Sequence, residues 1–174
     1  MEIIKTVAEL MALSALTAPK AKGQDYVGIV IVSEPETIDR LALEMASLSE
    51  EVGKKFLIRD SGNVKNSQAV VLLSLKSSQP ANLNCGACGL PKCSLLERTE
   101  GPEFAGPLCA WRLIDLGIAL GSAVKTASIH NVDNRIMYSV GSAARKMGLI
   151  EGEIVVGIPI SAGSKSIYFD RSSI

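Results

Sequence analysis

Ala110–Ile129, read as AWRLIDLGIALGSAVKTASI, is a run without a helix breaker that spaces Leu113, Ile114, Gly117, Ile118, Gly121 and Val124 at helical intervals. The spacing predicts a long central helix with that face buried. Gly117 and Gly121, with Ala119, Ser122, Ala123 and Ala127, keep the helix narrow and let another backbone approach closely. The cost in helix propensity must then be offset by tertiary packing.

Immediately before this helix stands Cys109, and before that a cysteine-rich loop. Cys85-Gly86-Ala87-Cys88-Gly89-Leu90-Pro91-Lys92-Cys93 followed by Cys109 has the spacing C-x2-C-x4-C-x15-C. Unliganded thiols this crowded would be prone to oxidation and exchange, so a shared metal centre is the economical reading. A close triplet plus one distant cysteine matches the three-plus-one habit of a [4Fe–4S] cluster. The plant-type [2Fe–2S] order would place its C-x4-C first. Zinc is the rival, since four cysteines also suit a tetrahedral site, although its usual pattern is two separated C-x-x-C knuckles. Gly86 and Gly89 supply the positive φ angles needed to fold a chain round a cluster. The metal ligands read from this pattern are Cys85, Cys88, Cys93 and Cys109.

Around this centre the chain alternates helices and strands. Ile3–Leu16 carries Ile3, Ile4, Val7, Leu10, Met11 and Ser14 at helical spacing, and Tyr26–Val32 is a short β-branched strand. Pro35 opens a second helix, with Ile38, Leu41, Ala42, Met45 and Leu48 on one face and Gly53 as its stop. Lys55–Arg59 and Gln68–Leu75 read as two more strands, separated by the turn-like Asp60-Ser61-Gly62-Asn63. Ser77–Asn84 is polar and delivers the chain to the cysteines. Beyond the central helix, Asp133 is placed to cap a helix that runs to Met147 and stops at Gly148. Glu153–Ile160 reads as a last core strand, with a short one over Ser166–Phe169. This order predicts an α+β arrangement of helices on a mainly antiparallel or mixed sheet, in a single domain over 1–174 with a cluster-binding segment at 78–113.

Composition bounds the function. Hydrophobic residues at 47% and charged ones at 21% describe a folding chain, and eighteen basic residues balance eighteen acidic ones. With no net field, neither nucleic acid nor an anionic membrane is an expected partner. The apolar runs are too short to span a bilayer, and Glu2, Lys5 and Glu9 interrupt what would be a signal-peptide core. A cytoplasmic location follows, which also argues against pairing the four cysteines as two disulfides. No Gly-x-Gly-x-x-Gly, Walker loop, nucleophile elbow or His-Glu-x-x-His motif is present, so dinucleotide, nucleoside-triphosphate, serine-hydrolase and zincin readings fall away.

Over Asn82–Leu113 the cysteine pattern resembles the small [4Fe–4S] domain of corrinoid iron–sulfur proteins and electron-transfer subunits. Over nearly the whole chain the sequence resembles the prokaryotic family of uncharacterised ferredoxin-domain proteins. Gly106-Pro107-Leu108-Cys109, Arg112, Asp115-Leu116-Gly117-Ile118-Ala119 and Asp133-Asn134-Arg135-Ile136-Met137-Tyr138 carry that match. It implies a cluster and an electron-handling role with an unidentified redox partner. Other segments resemble the FMN-dependent nitroreductases: Ala18-Pro19-Lys20-Ala21-Lys22-Gly23-Gln24 before a strand, the helix from Asp115 to Ala127, and Ala143–Ile160. That likeness implies a nitroreductase-like sheet with flanking helices carrying an inserted cysteine loop, a homodimer, and FMN as a second cofactor. The phosphate-gripping arginines of that family are missing from Met1–Leu16, so Lys20, Lys22 and Arg171 are the substitutes for holding FMN. Lys20 and Lys22 read equally well as solvated loop charges. Arg112 and Asp115, one turn apart, read either as an orienting pair for the cysteine loop or as a surface ion pair. His130 reads as a turn residue.

Overall fold

In the computed structural model, which describes residues 2–169, the chain begins with α1 (Glu2–Thr17) and β1 (Val27–Val32). The helical pair α2 (Pro35–Val52) and α3 (Phe56–Lys65) follows, and then β2 (Ala69–Leu75). A long connection carries the small hairpin β3 (Thr99–Glu100) and β4 (Ala105–Gly106) and enters α4 (Ala110–Ile129). The chain closes with β5 (Asp133–Asn134), α5 (Tyr138–Lys146) and β6 (Ile154–Ser161).

β2 is buried along its whole length because it lies inside a four-stranded sheet of order β1-β2-β6-β5. Every pairing is antiparallel, with Val27 opposite Leu75 and Ala69 opposite Ile160. Alternation along β2 sends side chains to two cores. Val71, Leu73 and Leu75 meet α1 and α4 on one face, while Val70 and Leu72 meet α2, α3 and α5 on the other. Both faces of the antiparallel sheet are therefore covered, which explains why its inner strands are apolar runs rather than alternating ones. Helix α5 packs directly on β6: a Cβ added at Gly141 would stand 1.8 Å from the Val155 carbonyl oxygen. Among the described residues no helix is long and apolar enough to cross a membrane.

Four readings of the sequence need correction. Lys55–Arg59 is not a strand, and Asp60-Ser61-Gly62-Asn63 is not a turn; nearly all of this stretch lies in α3. Leu57, Asp60 and Val64 are buried at helical spacing while Phe56 and Ile58 face outward, a pattern that a three-residue apolar run cannot reveal. Asp133 sits in β5 opposite Ser161, and α5 starts later, at Tyr138. Ser166–Phe169 forms no strand. The face of α4 is also reversed. Its buried side holds Arg112, Asp115, Leu116, Ala119, Leu120, Ala123 and Ala127, whereas Ile114, Gly117, Ile118 and Gly121 are exposed and nothing lies within 4 Å of either glycine's Cβ position. A helix apolar on most sides has no stripe that periodicity alone can assign to the core.

Candidate metal centre

The connection from β2 to α4 is held to the body by polar anchors at both ends. On the way out, the Gln79 carbonyl accepts a hydrogen bond from Arg112 Nε at 2.8 Å, and the Ala81 carbonyl accepts one from Lys22 Nζ at 3.4 Å. On the way back, Arg98 pairs with Glu153, and Arg145 pairs with Glu100 at 2.8 Å. Glu103, half-buried with its side chain largely covered, accepts hydrogen bonds from Lys54, Tyr138 and Ser142. Burial alone would raise the Glu103 pKa, but these three donors outweigh it and hold the carboxyl below the usual carboxylate range. The same cluster pushes Tyr138 upward, first through burial and then through its bond to Glu103.

Between these anchors the cysteine loop turns sharply. Asn82, Asn84, Gly86 and Gly89 all have positive φ, and the Gly89 amide donates to the Gly86 carbonyl at 2.9 Å. Glycine is the residue that adopts such angles without strain, and asparagine tolerates them. Cys85 is exposed, Cys88 and Cys93 are half-buried, Cys109 is buried, and all four are free thiols. Hydrogen bonds knit three of the segments together. The Cys93 amide donates to Asn84 Oδ1 at 2.9 Å, and the Asn84 amide donates back to Cys93 Sγ at 3.4 Å. This puts Cys93 beside the residue that precedes Cys85. Trp111, two residues after Cys109, donates its indole N–H to Cys85 Sγ at 3.3 Å. The Ala87 amide and then the Trp111 indole lower the Cys85 thiol pKa, because both donors favour the thiolate.

The donor set therefore fits an iron–sulfur cluster in chemistry: four unpaired thiols, with N–H groups already aimed at two of the loop sulfurs. Among the described residues no three His, Cys, Asp or Glu side chains are gathered closely enough to hold one metal ion. A tetrahedral zinc with bonds of about 2.3 Å would need its sulfurs about 3.8 Å apart. A cube-shaped cluster gives each thiolate its own iron and spreads its ligands more widely.

Arg112 and Asp115 form no surface pair. Both are buried on the inner face of α4, where Arg112 Nη1 stands 3.2 Å from Asp115 Oδ2. The guanidinium also reaches the Ala21 carbonyl at 3.0 Å and Gln24 Oε1 at 2.5 Å, and lies over the Tyr26 ring. Asp115 in turn accepts the Ala21 amide at 2.7 Å. The pair thus ties the Ala18–Gln24 loop to the segment leading into the cysteines. Of the cations read as phosphate partners, Lys20 is nearly buried and donates to the Ala15 and Leu16 carbonyls at the end of α1, with Asp25 at 3.6 Å. Lys22 faces Ala81, and Arg171 lies outside the described residues. His130 ends α4 as an exposed turn residue.

The sequence reading did not single out Trp111, Asn84, or the Glu103 cluster. Trp111 carried a usable signal, the lone tryptophan two residues from a cysteine; the Glu103 partners are too distant in sequence to have carried one.

Residues 105–171, which include Cys109 and α4 but not the Cys85–Cys93 triplet, match a family model described as "Uncharacterized protein containing a ferredoxin domain". An uncharacterized protein of Archaeoglobus fulgidus is 46% identical over 173 residues, covering 98% of this chain and 93% of that protein. Among solved structures, nitroreductase A from Vibrio parahaemolyticus superposes with a TM-score of 0.60 at 14% identity, over 93% of this chain and 60% of that one. The NADPH:FMN oxidoreductase of Vibrio harveyi, solved with NAD+, gives 0.57 at 11% identity, over 92% and 60%. The fold is nitroreductase-like, and the chain spans about 60% of the length of these two enzymes.

Proposed function

The chain belongs to the family of uncharacterized proteins containing a ferredoxin domain whose model its residues 105–171 match, and from that membership we propose that it is an iron–sulfur redox protein. In this reading Cys85, Cys88, Cys93 and Cys109 hold one [4Fe–4S] cluster, with 78–113 as the cluster-binding segment. When bound, the cluster supplies one-electron storage. The chain's part is to shape the loop through Gly86 and Gly89, to direct N–H groups at the Cys85 and Cys93 sulfurs, and to fix Cys109 at the start of a rigid helix. The observation that carries the reading is the knit of hydrogen bonds drawing Cys85, Cys93 and the Cys109–Trp111 turn together, all with free thiols. Electrons then pass to a partner protein or a bound flavin.

A flavin-dependent reductase is the second reading, favoured by the fold. Lys20, Lys22 and Arg171 are the cations it would use, and Lys20 would first have to leave the carbonyls that end α1. A non-catalytic protein with a zinc staple is the third.

Anaerobic reconstitution with iron and sulfide separates them. The expected product is brown, contains about four iron and four sulfide per chain as one cluster requires, and loses iron when any of the four cysteines becomes serine. Stoichiometric zinc without sulfide, or tight FMN with no iron, would overturn the cluster reading.

A further inference from the structure

Trp111 has no role in ligation, yet it is placed where it can act on a ligand. It is the chain's one tryptophan, it occupies the first turn of α4, and at 38% exposure its ring is not a core anchor. Its indole N–H is 3.3 Å from Cys85 Sγ. Among the described residues this is the one side-chain donor to any of the four sulfurs; the other donors are main-chain amides, those of Ala87 and Cys85 to Cys85 and that of Asn84 to Cys93. An indole N–H donates only and neither titrates nor binds metal, so its effect on a thiolate is to stabilise negative charge.

We propose that Trp111 sets the electron affinity of the centre, its N–H holding the Cys85 thiolate more firmly in the reduced, more negatively charged state than in the oxidised one. This rests on the cluster reading above. One-electron reduction adds one negative charge shared between the iron–sulfur core and its thiolates, with no bond made or broken. A hydrogen bond to a ligand sulfur gains strength as that charge arrives, so it raises the reduction potential. The donor sits on a helix whose first turn is pinned by Arg112 and Asp115, which keeps the N–H aimed at the sulfur through the redox cycle.

The test compares wild type with Trp111→Phe, which keeps a ring but removes the N–H. Both are loaded anaerobically, assayed for iron and sulfide, and titrated with dithionite while absorbance and electron paramagnetic resonance are followed. The expected result is equal iron and sulfide content, equal thermal stability, and a midpoint potential displaced to more negative values in the variant. A merely structural role for Trp111 would leave the potential in place. An unchanged potential at full loading overturns the proposal and leaves the cluster reading standing, whereas failure of the wild type to take up iron and sulfide overturns that reading. If the variant does not fold, wild-type fluorescence decides. A lone indole in contact with a cluster ligand must lose its emission on loading and regain it on chelation, and emission indifferent to loading overturns the proposal.

Discussion

Replacing Arg112 by methionine keeps a long side chain in the same space but removes a guanidinium that is 0% exposed and serves several segments at once. The variant loses hydrogen bonds to Gln79, Ala21 and Gln24 and leaves Asp115, itself only 4% exposed, with the Ala21 amide as its remaining recorded donor. Taken singly, bonds to a charged group contribute about 1.5–3 kcal/mol each, but they share one side chain and cannot be summed. Removing one partner from a buried ion pair costs about 3–5 kcal/mol, chiefly because the other charge stays buried and uncompensated. We expect that loss in urea unfolding of the metal-free protein. With a slope of about 2 kcal/mol per molar, it appears as a midpoint lower by roughly 2 M. Two further variants test the cause. Arg112→Met with Asp115→Asn keeps an acceptor for the Ala21 amide but removes the stranded charge, and should recover at least about 1 kcal/mol. Arg112→Lys keeps the charge and loses the fork, and should fall between wild type and methionine. A single-variant loss below about 1 kcal/mol, or strict additivity in the double variant, would refute the reasoning.

Two other outcomes follow from the packing. Glu103 is held below the usual carboxylate range, so its contribution is present above the unfolded value of about 4.3 and is lost as pH falls through the folded one. Limited proteolysis at the Gly101–Phe104 turn should therefore accelerate on acidification below about pH 4, and Glu103→Gln should already be cleaved faster at neutral pH and show no such step. Gly141→Ala would set a methyl group 1.8 Å from the Val155 carbonyl oxygen and 2.8 Å from Val156 Cα. Because the obstacle is backbone, the cost should exceed the usual overpacking range of about 1–3 kcal/mol, and a thermal melt indistinguishable from wild type would contradict the packing of α5 on β6.

How far the fold could be read from the residues depended on whether local chemistry was decisive. Pro35 and Gly53 bracket α2, and the β-branched runs at Val27–Val32 and Ala69–Leu75 are strands because no polar residue interrupts them enough to suit a helix face. Phe56-Leu57-Ile58 is too short for either period to declare itself, and the tertiary fold settled it. Burying Leu57 and Val64 together with Asp60, whose carboxylate accepts from Ser139 at 2.7 Å, is only achieved by a helix. The wrong face of α4 has a similar cause. Apolar residues lie on most sides of the helix, so spacing alone chose the wrong stripe, and Arg112 and Asp115, which read equally well as an orienting pair or a surface ion pair, neutralise each other inside the fold.

That inversion explains more than the helix orientation. The cysteine spacing is a signal of one dimension, soft donors at short intervals, and the cluster reading rests on it. What holds the loop in place is three-dimensional and uses donors from remote segments: Trp111 on Cys85, Arg112 on Gln79, Lys22 on Ala81. Adjacent side chains on the first turn of α4 thus face two tasks, Trp111 reaching a sulfur and Arg112 reaching the Ala18–Gln24 loop and the approach to the cysteines. Only a planar, five-donor side chain can bond to Gln79, Ala21, Gln24 and Asp115 together, which a single ammonium group could not do in one position. The arginine is buried because two separate stretches of chain, the Ala21–Gln24 loop and the approach to the cysteines at Gln79, are fixed by it to one helix, the helix that Cys109 begins.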